Sequence, residues 1–338
     1  MTFHHQHQYV LRETGAIQNE GLIADSLIRL IYSDAREKTP AVFKALTSTR
    51  FTRLLGFLNY DIPLDRPLGR VSKLAEQLGI DGSECVLPLY TLDTARKLFE
   101  RQIRYWECRP MPADRTTVVS PADAKILCGS LQSQSQFFLK EKFFDLDELL
   151  SSDRHQWHHT FAEGDWAILR LTPEKYHYNH FPVSGQVSDL YEIHGRCHSC
   201  NPGATVAMAT PYSKNKRVVT IIDTNVSRGS RVGIVAMVEV TALMIGEIVQ
   251  CYSRIRYDAP RVFKIGDFVL RGQPKSLFRP GSSVVVLLFQ RGRVRFADDL
   301  LRNLMRRDVR SRYSEGFGRP LVETEVDVRS KIAERSEL

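Results

Sequence analysis

The chain of 338 residues has no long hydrophobic run. Its longest apolar stretches, such as Val284 to Phe289 and Ile234 to Val238, fall far short of the roughly 20 residues a helix needs to cross a bilayer, so no transmembrane helix is expected. The opening residues Met1 to His7 lack the charged stretch, apolar segment and small-residue cleavage site of a secretory signal, which points to a cytoplasmic protein. Cysteine is scarce: six residues, Cys85, Cys108, Cys128, Cys197, Cys200 and Cys251, are scattered without a framework spacing and read as reduced thiols. Internal repeats and low-complexity segments are lacking too. Acidic residues are in deficit, 39 against 47 basic ones, and the formal charge of +8 favours an anionic partner. Charge does not choose among nucleic acid, an acidic membrane surface and a charged substrate. Apolar residues, at 43% of the chain, suffice for a sizeable core.

From about Thr14 to Glu107 apolar residues recur at helical spacing, as in Leu22, Ile23, Leu27, Ile28 and in Leu92, Ala95, Leu98, Phe99. This predicts a mainly helical N-terminal region over 1–110, with a connection around Pro63 and Pro67 and an end at Arg109-Pro110-Met111-Pro112. Over 111–338 the pattern changes to short β-branched and aromatic runs: Asp165 to Leu171, Arg217 to Asp223, Arg231 to Val240, Asp267 to Leu270, Ser283 to Gln290 and Leu321 to Val328. The fold class expected is α+β, helices first and a β-rich domain after. One amphipathic helix is expected at Asp298 to Arg307, with Leu300, Leu301, Leu304 and Met305 on one face.

Four Gly-Ser pairs occur, and such a pair is ordinarily a turn. Gly281-Ser282 differs in context, because it stands directly before the strongly apolar strand expected from Ser283. There a serine hydroxyl can attack the preceding carbonyl, least hindered at glycine. The ester so formed eliminates to dehydroalanine, which hydrolyses to a pyruvoyl group. Such a serine needs a base, and the base needs an orienting group. Two segments offer them: Val118 to Lys125, which carries Asp123, and Leu169 to Val183, which carries His177 and His180. Taken singly, Asp123 also reads as a turn residue and the two histidines as hydrogen-bonded structural side chains.

Together, in this order, three segments resemble the signatures of the phosphatidylserine decarboxylase family: Ser120 to Ala124, Tyr176 to Pro182, and Gly281-Ser282-Ser283 before an apolar strand. Arg109-Pro110, Phe138-Leu139-Lys140, Leu146 to Leu150, Gly195 to Pro202, Asn215 to Val218 and Lys264 to Asp267 extend the resemblance over most of the chain. It implies a self-processing, pyruvoyl-dependent carboxy-lyase with a β-rich phosphatidylserine-decarboxylase-like domain. Cleavage at Gly281-Ser282 would give a β chain, 1–281, and an α chain, 282–338, headed by the covalent cofactor, a pyruvoyl group made from Ser282. The pyruvoyl group would serve as electron sink in place of pyridoxal phosphate. The resemblance further implies that Asp123 orients His180, that His180 is the base for Ser282, and that His177 protonates the substrate α-carbon from near its ordinary pKa. No metal is expected.

Ala124 stands where the family has Gly, Tyr178 where it has Arg, Ser283 where it has Thr, and Pro280 replaces a glycine. An arginine can pair bidentately with carboxylate or phosphate and a tyrosine cannot. Three functions therefore stay open: conversion of phosphatidylserine to phosphatidylethanolamine, decarboxylation of a soluble amino acid, or lipid binding without catalysis. The expected partners are that substrate, the chain's own α and β fragments, a peripherally touched anionic membrane and a second copy in a homodimer, with no nucleic acid. For the membrane the sequence offers Arg291, Arg293, Arg295, Arg302, Arg306, Arg307, Arg310 and Arg312, and the amphipathic stretch Val42 to Leu58. Cys197-His198-Ser199-Cys200 is half of a zinc-site spacing without a second half, and His155-Gln156-Trp157-His158-His159 reads as a solvated loop.

Overall fold

The computed structural model describes residues 6–21, 67, 71–131, 142–242, 247–279 and 283–337. Leu22 to Ile31, Val42 to Leu58, Phe138 to Lys140, Pro280 and the Gly281-Ser282 pair lie outside the described residues.

The strands in chain order are β1 (Gln8–Leu11), β2 (Ile17–Asn19), β3 (Thr117–Val119), β4 (Ala124–Ser130), β5 (Asp165–Leu171), β6 (Tyr178–His180), β7 (Gly185–Ile193) and β8 (Arg217–Asp223). They continue as β9 (Ile234–Thr241), β10 (Ile248–Gln250), β11 (Phe268–Val269), β12 (Pro274–Phe278), β13 (Ser283–Phe289), β14 (Val294–Phe296), β15 (Thr324–Val326) and β16 (Lys331–Arg335). Ten of them form one sheet in the order β11-β7-β8-β9-β13-β5-β4-β15-β1-β2, and β10-β12-β6 and β14-β16-β3 form two small ones. Only β1 and β15 pair in parallel within these sheets.

The apolar run after Ser283 is continuous because β13 is buried on both faces. Val284, Val286 and Leu288 enter one core and Val285, Leu287 and Phe289 the other. The first core is closed by α4 (Leu146–Leu150), α5 (His155–Phe161) and α9 (Arg312–Phe317) through Leu149, Trp157, Phe161 and Tyr313. The second is closed by the small sheets and α8 (Asp298–Leu304) through Phe181, Phe278, Phe296 and Leu300. Each of these fully buried aliphatic side chains contributes on the order of 1.5–3 kcal/mol relative to exposure.

The α+β class holds, and the described part of the expected helical N-terminal region is divided between a strand hairpin and short helices. Residues 8–19 form the β1-β2 hairpin at one edge of the main sheet, anchored by β15. Helix appears only as short pieces, α1 (Val71–Gln77), α2 (Ala95–Phe99) and α3 (Tyr105–Cys108), and no helix among the described residues is long and apolar enough to cross a membrane. The remaining helices are α6 (Pro202–Ala207) and α7 (Pro211–Lys214). The segment expected as a solvated loop is α5, because Trp157 and Phe161 one turn apart give it an apolar face, and the Trp157 indole donates to Asp189 at 2.9 Å. All six cysteines are free thiols, and Cys197 and Cys200 are buried.

A buried polar knot joins the main sheet to β12. Glu239 on β9 accepts from Lys275 Nζ at 2.5 Å, from Asn179 Nδ2 and Gln250 Nε2 at 3.1 Å each, and from the Ser276 hydroxyl. Lys275 and Glu239 are both fully buried, so each charge depends on the other.

Candidate active site

Strand β6 carries His180, with His177 immediately before its first residue, and is the edge of its sheet, held by β12. The amide of Phe278 donates to the His177 carbonyl at 3.1 Å, so His177 lies beside the end of the strand that precedes residue 281. On the other side of that junction, Ser283 is paired with Leu171 of β5 and Thr241 of β9. The described ends on both sides of the Gly281-Ser282 pair are therefore fixed by strand pairing.

His180 is completely buried, and its amide donates to the Pro121 carbonyl at 2.7 Å, which ties β6 to the segment that carries Asp123. Nδ1 lies 2.9 Å from the Gly272 carbonyl, an acceptor only, so Nδ1 carries the hydrogen and Nε2 the lone pair in the neutral ring. Gly272 adopts φ +71°, and a Cβ there would come within 2.4 Å of Met111 Sδ, so glycine is what allows this carbonyl to face the ring.

Nε2 lies 2.9 Å from the Tyr176 hydroxyl, which lies 2.7 Å from that of Tyr257. Tyr257 in turn lies 2.9 Å from the Ile103 carbonyl and accepts from the Ile103 amide at 3.1 Å. From Gly272 to the Ile103 carbonyl there are four contacts that each need a hydrogen, while a neutral imidazole and two phenols supply three. A proton added at Nε2 completes the set. Burial nevertheless pulls the His180 pKa down to about 3, with the Gly272 bond and the Asp123 charge opposing.

Tyr105 presents an edge to His180 at 4.6 Å, and Tyr178 stacks on Tyr176 at 5.5 Å and meets Tyr257 edge-on. Tyr178, where the family has arginine, is thus part of an aromatic wall around the histidine. Ala124 is equally accounted for: it opens β4, is fully buried in the core and needs no special backbone freedom.

His177 stacks on Phe99, with ring centroids 3.6 Å apart. Its Nε2 faces the Pro173 carbonyl at 3.3 Å and so carries the hydrogen, leaving Nδ1 buried without a partner. Burial, aided by Arg101, lowers its pKa to about 3. The expectation that His177 titrates near its ordinary value is corrected by this: it is a neutral ring with a lone pair on offer at neutral pH.

Asp123 is buried and meets Arg109, whose Nη2 donates to Oδ2 at 2.9 Å and Nε to Oδ1 at 3.1 Å, and the Val328 amide donates to Oδ1 at 2.7 Å. Burial acts to raise this carboxyl, and Arg109 overrides it and holds it below the ordinary range. Glu84 grips the same guanidinium bidentately at 2.7 and 3.0 Å. The expected Asp123–His180 hydrogen bond is not among the described contacts. The carboxylate reaches His180 through its field, and the Gly272 carbonyl takes the orienting place. Arg109, Gly272, Tyr176 and Tyr257 were not singled out as site residues by sequence reasoning. The Arg109-Pro110 and Tyr176 motif positions were visible signals, whereas Gly272 and Tyr257 carried none.

A cavity of about 340 Å³ adjoins Leu171, the residue paired with Ser283, and is lined also by Glu20, Lys125, Arg170, Cys200 and Asn201. Lys125 lies 3.2 Å from Glu20, and Arg170 bridges Glu20 and Glu323 at 2.6 Å each. Both charge signs therefore face one space of ligand size.

A family model described as phosphatidylserine decarboxylase matches residues 95–318. A phosphatidylserine decarboxylase proenzyme of Chlamydia trachomatis is 31% identical over 295 residues, 87% of this chain and 90% of that protein. One from Fusobacterium nucleatum is 26% identical over 313 residues, 92% and 97% of the two chains. Phosphatidylserine decarboxylase proenzyme 3 of Schizosaccharomyces pombe is 28% identical over 297 residues, 86% of this chain and 28% of that longer one.

Proposed function

Because the chain belongs to the phosphatidylserine decarboxylase family, we propose that it releases the carboxyl group of phosphatidylserine as carbon dioxide, leaving phosphatidylethanolamine, after cutting itself at Gly281-Ser282. The observation that carries this is that the matched stretch, 95–318, spans Asp123, His177, His180, Gly281 and Ser282 in order. Tyr178 and Ala124, which had left a soluble amino acid open, are explained by packing and do not favour another substrate.

The family's pyruvoyl group supplies an electron sink for decarboxylation. The described surroundings suit one: the Ser283 hydroxyl, at the start of the strand that leads out of the Gly281-Ser282 pair, and His177 Nδ1, beside the end of the strand that leads up to it, are buried polar atoms without partners. In self-cleavage the Ser282 hydroxyl attacks the Gly281 carbonyl, and its proton is taken up by His180 and delivered to the amide nitrogen, which leaves as the amine of residue 282 to give an ester. Elimination leaves Gly281 as a carboxylate, and one water then replaces the nitrogen of residue 282 as ammonia.

His180 suits the role of base because its tautomer is fixed by Gly272 and because a proton on Nε2 fills the Tyr176-Tyr257 chain. Asp123, kept ionised by Arg109, favours that protonated state through space. The proton that replaces the carboxyl group on the substrate carbon comes from water and is relayed through His177 Nδ1. Lys125, Arg170 and Glu20 line the cavity as one paired cluster, so it presents both signs of charge to a zwitterionic headgroup.

The test is intact-mass measurement of the purified protein together with carbon dioxide release from phosphatidylserine in detergent micelles. Two fragments and release are expected, and Ser282→Ala should give one intact chain with neither. An intact wild-type chain, or a cleaved one inert toward that lipid, overturns the reading.

A further inference from the structure

Most of the described large apolar side chains left at the surface fall in two segments, Met305, Leu301 and Ile17 lying elsewhere. Among the described residues Leu87 and Tyr90 are 55% and 78% exposed, and Ile255, Val262 and Ile265 are 66%, 62% and 60% exposed. The two segments share a support at residues 102–103: Cys85 bridges Ile103, the Val86 amide donates to the Gln102 carbonyl, and Ile103 holds the Tyr257 hydroxyl. The 252–271 loop is itself braced, with Tyr252 paired to Arg261, Ser253 bonded to the carbonyls of Ile255 and Asp258, and Lys264 amide bonded to Asp267. Its inward anchors Tyr252 and Phe263 are fully buried, which turns Val262 and Lys264 outward on either side of Phe263.

The charge on this loop is one-sided. Residues 252–271 hold five cations, Arg254, Arg256, Arg261, Lys264 and Arg271, against Asp258 and Asp267. Asp267 is taken by Arg261 at 2.8 Å, so the exposed rim around the apolar tips is cationic. Exposed aliphatic side chains ringed by cations fit a lipid surface carrying negative headgroups. The arginines first considered for that role fit it less well: Arg291 pairs with Glu163, Arg295 with Glu334 and Arg306 with Asp308, and Arg312 is buried.

We infer that the 252–271 loop, with the 86–90 segment beside it, is the surface by which the protein rests on an anionic bilayer, Ile255, Val262 and Ile265 entering the interface and Arg254, Arg256 and Lys264 meeting the headgroups. The inference rests on the lipid-substrate reading and adds where the lipid is met. The same loop carries Tyr257, so the membrane contact lies two hydrogen bonds from His180.

The experiment is co-sedimentation of the full-length protein with vesicles of phosphatidylcholine and phosphatidylglycerol, compared with a variant carrying Ile255→Asp, Val262→Asp and Ile265→Asp. The wild type should bind, and the variant, with an unchanged unfolding transition, should bind at least about tenfold more weakly. Arg254→Glu with Lys264→Glu should weaken binding to these vesicles in the same direction. Equal binding by wild type and triple variant overturns the inference, as does a wild type that does not bind, or one whose apolar tips prove buried in a dimer that the triple variant breaks. The lipid-substrate reading fails separately, if the wild type releases no carbon dioxide from a short-chain phosphatidylserine dispersed below its micelle concentration.

Discussion

The hydroxyl of Tyr176 lies 2.9 Å from Nε2 of His180, on the only lone pair the neutral ring has left. A base at His180 therefore works with Tyr176 in its path. While the ring is neutral Tyr176 donates to it. Once the ring gains a proton the direction reverses, and Tyr176 donates to Tyr257.

Tyr257→Phe removes the far end of that chain without emptying the wall. Self-cleavage, followed by the loss of intact chain on gels, should slow about tenfold, corresponding to about 1.4 kcal/mol. Its pH profile should shift to lower pH, since the protonated ring loses support and the pKa of the base falls. A simple packing defect would lower the unfolding midpoint and leave the profile in place.

Gly272→Ala should be more damaging than its size implies. The added methyl meets Met111 Sδ and the backbone is held at φ +71°, so the carbonyl must turn from His180. Cleavage should fall by about 100-fold, the scale of a lost general base. Gly272→Ala combined with Met111→Ala would restore space but not φ, and should recover little.

The buried histidines set a pH dependence of stability. Both have folded pKa values near 3, below the 6.5 of a free imidazole, so the unfolded chain binds more protons between these values. Stability is then complete above pH 6.5 and is lost as pH falls toward 3, at up to about 1.4 kcal/mol per pH unit for each histidine. Half-exposed Asp327, raised to about 6 by burial and by Asp123, works in the opposite direction between 3.8 and 6. Urea unfolding of the uncleaved Ser282→Ala chain across this range checks it, and adding His177→Gln should flatten the slope.

Lys275→Met should destabilise by about 3–5 kcal/mol, because it strands the Glu239 carboxylate in the core. Changing Glu239→Gln as well should recover much of that loss, measured as urea midpoints of the same uncleaved chain.

Six of the sixteen described strands were legible because period-two burial and two-sided burial leave direct marks in sequence, and the three ordered motifs were legible as residue patterns. Asp165–Leu171 and Arg217–Asp223 emerge with their expected ends. What escaped was set by distant partners. The stretch from Ile17 to Asn19 is a strand because β1 recruits it. Asp123 turns to Arg109 rather than His180 because a guanidinium 14 positions upstream is a stronger partner for a buried carboxylate than a neutral ring. Tyr257 gains its meaning from Tyr176, 81 residues before it.

Strand β13 is flanked by β5 and β9, and β15 by β4 and β1. A cut before residue 283 therefore separates covalently what the sheet keeps interleaved. The short C-terminal piece would occupy the middle of the sheet as an inserted strand, with its partner's strands on both sides. The two pieces should comigrate under native conditions and part only in denaturant. Reassembly would then be a problem of fragment complementation, in which a preformed cleft must wait open for its missing central strand.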